Sequence, residues 1–466
     1  MTSEVSSDPK QKVPAAYSNK GNLVEGDIKN HLVRLSLPMI WGIGAIISFQ
    51  LVDMFFIGLL GTEELAAVTF TFPVTFVIFS FIMGFGIAMS SVVSRLIGEG
   101  NHEMQQRVTS QGLLLVLLIS FVLAAIGLLT QNALFKMMGA EEKLIPIILD
   151  YMTIWYAGAV FVTMPLVGNA AIRASGDTFT PAMIMTVVAV VNTILDPLLI
   201  FGLFGFPRLE VQGAAIATVF ANAAAMCAGL YVLYFHKKMI CVTQLIRFDL
   251  FWDSAKRLLF IALPAGLTNA IQPVVNALII ALLAQTGVEA VAAYGIVSRI
   301  EAFAFIVIMG VAVGMGPIIG QNFGAEKMSR VNETLRLAIT FAVFYSLFVA
   351  FALFVFGKQI ASLFQDNDQV VSYAVLFFMI VPISYAFSNL VNGWASAFNA
   401  MGMPHLSFVM IVVKMILLMI PAIYIGHTYF GVVGLFTAIA IVNITAGLIV
   451  HFWCKTICMR KTNQKL

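Results

Sequence analysis

Charge is what this chain has least of. Only 11% of its 466 residues are Asp, Glu, Lys or Arg, while 60% are hydrophobic. A soluble domain carries about 25% charged residues, so the composition excludes an ordinary soluble enzyme or binding module. The long apolar runs suit helices of about 20 residues that span a bilayer, and they exceed the short alternating strands of a barrel. The sequence predicts an all-α polytopic membrane protein.

Cysteine is also scarce, with four residues at Cys227, Cys241, Cys454 and Cys458. They lie in a span, in a loop and near the C-terminus, which does not make a disulfide framework. Cys454 and Cys458 fit one helix face, but no His or Cys pair completes a zinc site with them. We therefore expect reduced cysteines and no bound metal.

Motifs of enzyme chemistry are missing as well. The stretch "HEMQQ" at His102 lacks the second histidine of a zinc protease, and "GFGIAM" at Gly84 lacks the third glycine of a dinucleotide loop. No Gly-x-x-x-x-Gly-Lys-Ser/Thr phosphate loop occurs in the sequence. The chain is predicted to be no enzyme and to use no cofactor, so an ion gradient would drive any transport.

Twelve predicted spans lie between residues 33 and 453, and an even number places both termini on one side. If that side is the cytoplasm, its segments hold 20 of the 26 Lys and Arg residues, and the opposite loops hold four. The remaining two, Arg299 and Lys414, lie inside spans. The positive-inside rule then predicts cytoplasmic termini in the cell (inner) membrane. No signal peptide precedes the first span, which is predicted to stay uncleaved.

The chain repeats itself at an offset of 226 residues. Leu37-Pro38 matches Leu263-Pro264, Gly98 matches Gly324, and Gly176 matches Gly402. Each half contains six predicted helices and enters the membrane from the same side, so the two halves are parallel repeats. Transporters that rock one half against the other are built in this way.

The predicted organisation follows from the repeat. It comprises a disordered cytoplasmic tail (1–30), an N-lobe with helices 1 to 6 (31–236), a cytoplasmic linker (237–256), a C-lobe with helices 7 to 12 (257–454) and a cytoplasmic C-terminal tail (455–466). The linker region is basic and amphipathic, which favours a position along the membrane surface, although a plain connector explains it equally well.

Two acids distinguish the halves. Asp53 matches Ile279, and Asp196 has no acidic partner in the second half. An acid at mid-membrane costs about 2.5–3.5 kcal/mol on insertion scales, so it is a functional candidate. The difference predicts a proton or cation site in the N-lobe. The alternative for each acid is an ordinary interhelical hydrogen bond.

Polar neighbours extend this site. Asn192 and Asp196 are four residues apart, on one helix face. Asn169 closes span 4, and Pro197 frees a backbone carbonyl one turn earlier, where the helix is expected to bend. Two nearby carboxylates in a poorly solvated place resist double ionisation, so one of them would hold a proton. For the two amides a purely structural role stays open.

The second half carries other polar residues, which we assign to a substrate cavity. Pro273 is a second expected helix bend. Structural pairing is the alternative for the three charged residues, because Arg299 and Glu301 point to different faces of one helix. The assigned residues are Gln272, Asn276, Arg299, Glu301 and Lys414.

Several stretches resemble the multidrug and toxic compound extrusion (MATE) family of the proton-coupled prokaryotic type. They are "LVDMFFIGLLGTEELAAV" from Leu51, "GNAAIRASGDTFTPA" from Gly168, "VVNTILDPLLIFG" from Val190 and "VQGAAIAT" from Val211. The likeness covers all twelve spans. It implies a two-lobe antiporter that expels lipophilic, often cationic compounds and confers antibiotic resistance.

The resemblance also implies roles for single residues. The family's coupling site maps onto Asp53, Asn192, Asp196 and Asn169, and less securely onto Tyr151. A sodium-linked branch has acids in spans 7 and 10, whereas this chain has Gln272 and, near the second place, Asn389-Leu390. That departure favours the proton-linked branch.

The sequence therefore predicts a proton-coupled multidrug antiporter that works in the lipid bilayer as a monomer, on small molecules and not on nucleic acid. Sodium coupling through the same acids is the first alternative. The second is a flippase for lipids or lipid-linked precursors, which Arg299 and Lys414 keep open because basic residues in the cavity would favour it.

Overall fold

The computed structural model describes residues 21–463, with side chains described to residue 456. All regular elements within these residues are helical. The helices are α1 (Ile28–Gly58), α2 (Thr62–Gly98), α3 (His102–Met137), α4 (Ile145–Ala157 and Ala159–Ala174), α5 (Phe179–Phe201), α6 (Glu210–Tyr231), α7 (Phe251–Ala284), α8 (Val288–Gly324), α9 (Met328–Ser362), α10 (Asp368–Ile380 and Tyr385–Ala400), α11 (404–430) and α12 (431–463).

Two interruptions in helical stretches account for the last two of the twelve spans. Helix α4 bends by 50° between Ala157 and Ala159 and crosses as one broken helix. Helices α11 and α12 meet at Gly431, which adopts φ 59° and ψ −144°, and the chain reverses direction there so that Gly426 packs against Gly434. Ten described helices are long and apolar enough to span, the bent α4 makes eleven, and the break at Gly431 makes twelve.

Each lobe has apolar cores of its own. One N-lobe cluster packs α2, α3 and α4 around residues such as Val93 and Val116, and a C-lobe cluster packs α8, α10 and α12 around Phe377 and Phe436. The first turns of α7 insert into the N-lobe, where Leu258 is buried. The first turns of α1 do the same in the C-lobe. This exchange ties the lobes together.

Three predicted boundaries are corrected. Residues 21–30 are not disordered, because Leu23 is buried and the Asp27 side chain caps α1 from residue 28. The linker ends at residue 250 rather than 256, because the start of α7 packs on the N-lobe. Helix α12 continues to Asn463, through most of the predicted C-terminal tail. Residues 1–20 and 464–466 lie outside the described part.

Glycines bring the lobes into main-chain contact on the side where α1 begins and α12 ends, here called the termini side. A Cβ at Gly84 would collide with the backbone of α7 at Ala262 and Gly266. A Cβ at Gly314 would collide with α1 at Ser36. Near the opposite ends of the described helices, Gly295 has open space around its Cβ position, and Gly58 and Gly202 meet only residues of their own lobe. We infer that the cleft between the lobes is closed on the termini side and open on the other.

The close pairing of α11 and α12 predicts a stability effect. A Cβ at Gly434 would meet the carbonyl oxygen of Gly426, so Gly434→Ala should destabilise the protein by about 1–3 kcal/mol through overpacking. Gly44→Ala is the control, because nothing lies within 4 Å of its Cβ position. We expect a lower midpoint of thermal unfolding in detergent for the first variant only. Equal midpoints would contradict this packing.

Candidate functional site

The predicted acids meet in the N-lobe. The carboxyl groups of Asp53 on α1 and Asp196 on α5 lie within hydrogen-bonding reach of each other. Asp196 is fully buried, and Asp53 has one buried oxygen, Oδ1, without a partner in the described structure. Two carboxyl groups this close can hold a proton or a cation between them.

Small residues bring these helices together. Gly42 lets α1 contact the backbone of α5 at Ala182, three turns before Asp53. Gly213 lets α6 contact the main chain of α5 at Leu199. Without a hydrophobic force between helices in lipid, such close approach through small residues is what holds helix pairs. The acids are thus placed by the packing of α1 and α6 against α5.

The buried amide of Asn192 connects the acids to Thr218 on α6. With its nitrogen towards Asp196, Asn192 donates to Asp196 Oδ2 at 2.8 Å and accepts from Thr218 Oγ1 at 3.1 Å. The amide oxygen also accepts from the backbone N–H of Thr218 at 3.1 Å. The opposite orientation would point this oxygen at the Asp196 carboxylate, acceptor against acceptor, so the nitrogen lies on the Asp196 side. Asn192 therefore connects Asp196 to α6 in one defined orientation.

Tyr151 and Asn169, both on α4, have different surroundings. Tyr151 is buried near both Asp53 and Asp196, close enough to interact electrostatically with them. Asn169 does not hydrogen-bond to the acids in the described structure, and its buried Oδ1 has no partner. It lines a separate central cavity instead. Pro197 lies inside α5, which continues as helix to Phe201.

The central cavity has a volume of about 370 Å³ and lies between the lobes, towards the termini side. Its walls come from α1, α2, α4, α5, α6, α8 and α10, and four of the lining residues are methionines: Met39, Met83, Met185 and Met309. Arg173 is the one charged residue among those that line it. Asn169, Asn222 and Asn399 add amides, and the Oδ1 atoms of Asn169 and Asn399 have no partner.

The predicted C-lobe residues do not line this cavity. Gln272 donates to Asn276 Oδ1 at 3.1 Å on α7, which runs unbroken through Pro273. Arg299 is exposed on α8, on the outward continuation of the face that contacts α1 through Gly310 and Gly314.

The other two charged C-lobe residues have buried polar partners, in agreement with the structural-pairing alternative. Glu301 accepts from Tyr385 Oη at 2.5 Å. Lys414 is 1% exposed and donates to Ser388 Oγ at 2.7 Å from a π-helical turn, Val413–Met419.

Three site residues escaped the sequence reasoning: Thr218, Arg173 and Asn399. Thr218 ends the quoted stretch "VQGAAIAT", but a threonine in an apolar run gives no signal of its own. Arg173 and Asn399 are matched by the 226-residue repeat and face the same cavity from the two lobes. Functional residues are expected at positions where the two repeats differ. Applied to the matched pair Arg173 and Asn399, that rule would have identified Arg173.

The fold and site together define a secondary transporter: two six-helix repeats, a cleft open on one side, a central cavity, and a buried carboxyl pair in one lobe. The family model described as MatE matches residues 38–198 and 264–425. The two matches begin 226 residues apart, at the repeat offset. The chain therefore belongs to the MATE family of membrane transporters.

Relatives and solved structures agree over nearly the whole chain. The FAD transporter of Shewanella oneidensis is 38% identical over 442 residues, which cover 94% of this chain and 97% of the relative. The multidrug export protein MepA of Staphylococcus haemolyticus is 26% identical, covering 95% and 96%. The crystal structure of the Vibrio cholerae MATE transporter VcmN in the bent form is 29% identical, with a TM-score of 0.88 and coverage of 94% and 98%.

Proposed function

We propose that this protein is a proton-driven exporter of small organic molecules, coupled through Asp53 and Asp196. The closeness of the two carboxyl groups carries this proposal, because a proton shared between them relieves the repulsion of two negative charges in a poorly solvated place. Asp53 lies near the end of α1 that is remote from the termini side, and the cleft is open there. In this state a proton enters the pair from the open side.

The cycle follows from the two states of the pair. A proton loaded from the open side is shared by the two carboxylates and reduces the charge of the pair from −2 to −1, and the lobes then open on the termini side, where the proton leaves. Asn192 donates to Asp196 Oδ2 and is held in place by Thr218. Helix α5 bends at Pro197, where the missing backbone donor weakens the helix. Tyr151 keeps the pair shielded from lipid.

The termini side is cytoplasmic in this proposal, because 20 of the 26 Lys and Arg residues lie on that side. A cysteine at Thr243 in a background without native cysteines should react with an impermeant thiol reagent only after cells are opened. Phe204 lies in the loop between α5 and α6 and is 93% exposed. A cysteine at this position should react in intact cells. The reverse pattern would invert the orientation.

Replacing either acid should abolish coupling. Asp53→Asn and Asp196→Asn mimic a permanently protonated group, so proton-driven export from vesicles should fall to the level of empty vesicles. Thr218→Val removes one hydrogen bond, with a net value of about 0.5–1.5 kcal/mol, and should slow export about two- to tenfold. Asp150→Asn is the control, since Asp150 is exposed on α4.

The same vesicles distinguish proton coupling from sodium coupling when the two gradients are imposed one at a time. Export driven by a pH gradient without sodium supports the proposal. Export that needs a sodium gradient and persists at equal pH would assign the N-lobe acids to sodium. Full export by both Asn variants would remove the acids from coupling altogether.

A second candidate concerns the exported molecule. The multidrug relatives favour lipophilic, often cationic compounds, whereas a relative with 38% identity is named a FAD transporter. The cavity favours the latter, because its one charged lining residue is the cation Arg173, without a hydrogen-bond or ion-pair partner in the described structure. Methionines adapt to flat rings, and guanidinium groups suit phosphate. We propose FAD, or a similar phosphate-bearing flavin, as a substrate.

Arg173→Gln tests this candidate. The variant should lose at least tenfold in FAD export, because it lacks the phosphate partner, and should transport riboflavin, which has the same ring system without phosphate, within twofold of the parent. Arg336→Gln, an exposed position on α9, is the control for general charge loss. An equal loss for FAD and riboflavin would make Arg173 structural. No FAD export by the parent, with dye export intact, would restore the cationic drug class.

A further inference from the structure

The segment that precedes α1 is fastened to the opposite lobe. This segment, residues 23–26, is here called the N-terminal strap. Its Leu23 side chain is fully buried in a C-lobe cluster that also contains Ile318, Val331 and Trp394. The strap belongs by sequence to the N-lobe, yet its apolar anchor is part of the core of the C-lobe.

Polar side chains from α8 and α9 also form hydrogen bonds with the backbone of the strap. Leu23 N donates to Gln321 Oε1 at 3.1 Å, and the Leu23 carbonyl accepts from Asn322 Nδ2 at 3.0 Å and from Arg330 Nη2 at 3.2 Å. Further along, Lys327 Nζ donates to the Val24 carbonyl at 3.2 Å, and Arg330 Nη1 donates to the Gly26 carbonyl at 2.9 Å. Two cations and two amides thus hold four residues of chain.

Gln321 hydrogen-bonds both to the strap and to the N-lobe, so it connects the strap to the contact between the lobes. Its Nε2 donates to the carbonyl of Ala174 at 2.9 Å, at the end of α4 in the N-lobe. A Cβ at Gly176 would lie 3.0 Å from the Gly21 carbonyl and 3.3 Å from Leu23. The strap therefore fills a gap between the end of α4 and the end of α8, where the lobes close on the termini side.

The segment before α7 occupies the corresponding place in the other half. There Gln111 of α3 donates to the carbonyls of Gln244 and Arg247, and Arg107 pairs with Asp253 at 2.7 Å. That segment is continuous with both lobes, because it is the linker. Within the described residues the N-terminal strap is joined to one helix, α1, so its release from the C-lobe does not require the linker to move.

We propose that the N-terminal strap is a releasable clasp that holds the termini side closed. Helix α1 contacts the N-lobe at Gly42 and the C-lobe at Ser36 and Ile40. When the lobes part on the termini side, either α1 or its strap must separate from α8 and α9. The strap adds a buried leucine and five hydrogen bonds to that separation, so its release limits opening.

A labelling experiment measures opening without any substrate. Ala312→Cys, in the wall of the central cavity, is introduced after Cys227, Cys241, Cys454 and Cys458 are replaced by Ser. An impermeant thiol reagent is applied from the termini side. Arg330→Met, which removes two contacts to the strap, should raise the labelling rate about tenfold, equivalent to about 1.4 kcal/mol. Arg336→Met, exposed on the same helix, should stay within twofold of the parent.

A reversible cross-link provides the opposite test in one protein. Val24→Cys and Lys327→Cys, joined by a bifunctional thiol reagent with a reducible spacer, should slow labelling at residue 312 at least tenfold, and reduction of the spacer should restore it. The spacer covers the length of the lysine side chain that makes this contact. Labelling is read by mass spectrometry of the peptide that contains residue 312, with Lys327→Cys alone as control. An unchanged rate after complete cross-linking would show that α1 opens with the strap in place and would overturn the proposal. Neither readout depends on which ion or substrate the protein uses.

Discussion

Main-chain contact between helices is the constraint on which the whole structure depends. Lipid offers no hydrophobic force to press one apolar helix against another, so association relies on close packing and on polar contacts. Gly84 lets α2 approach α7, and Gly314 lets α8 approach α1. These contacts lie on the termini side, and they leave the cleft open on the other side.

The carboxyl pair is buried for the same reason. Gly42 and Gly213 let α1 and α6 approach α5, and the side chains between them lose contact with water, Asp196 completely and Asp53 and Thr218 in part. A buried charge is costly unless it is paired or neutralised. In the proposed mechanism a shared proton offsets that cost, together with the hydrogen bond that Asn192 donates to Asp196. The arrangement connects the energetics of burial directly to the proposed coupling.

Three devices then act on one equilibrium. In the proposed mechanism, the acid pair responds to protons on the open side, the cavity around Arg173 holds the exported molecule, and the strap at Leu23 holds the opposite side shut. A ligand shifts a conformational equilibrium only by its different affinity for the two states. In this proposal the strap determines how large the difference in ligand affinity between the two states must be before the termini side opens.

The sequence by itself determined the number of spans, the two repeats, the family and the acid pair. Span length follows from bilayer thickness, and the spacing of Asn192 and Asp196 fixes their common helix face. Thr218, the place of Arg173 and the strap on the C-lobe were decided only by the tertiary structure. Periodicity states which residues share a face, but it does not state which neighbour that face meets. That choice depends on packing across both lobes, where Leu23 finds its pocket almost 300 residues further along the chain, beside Gln321.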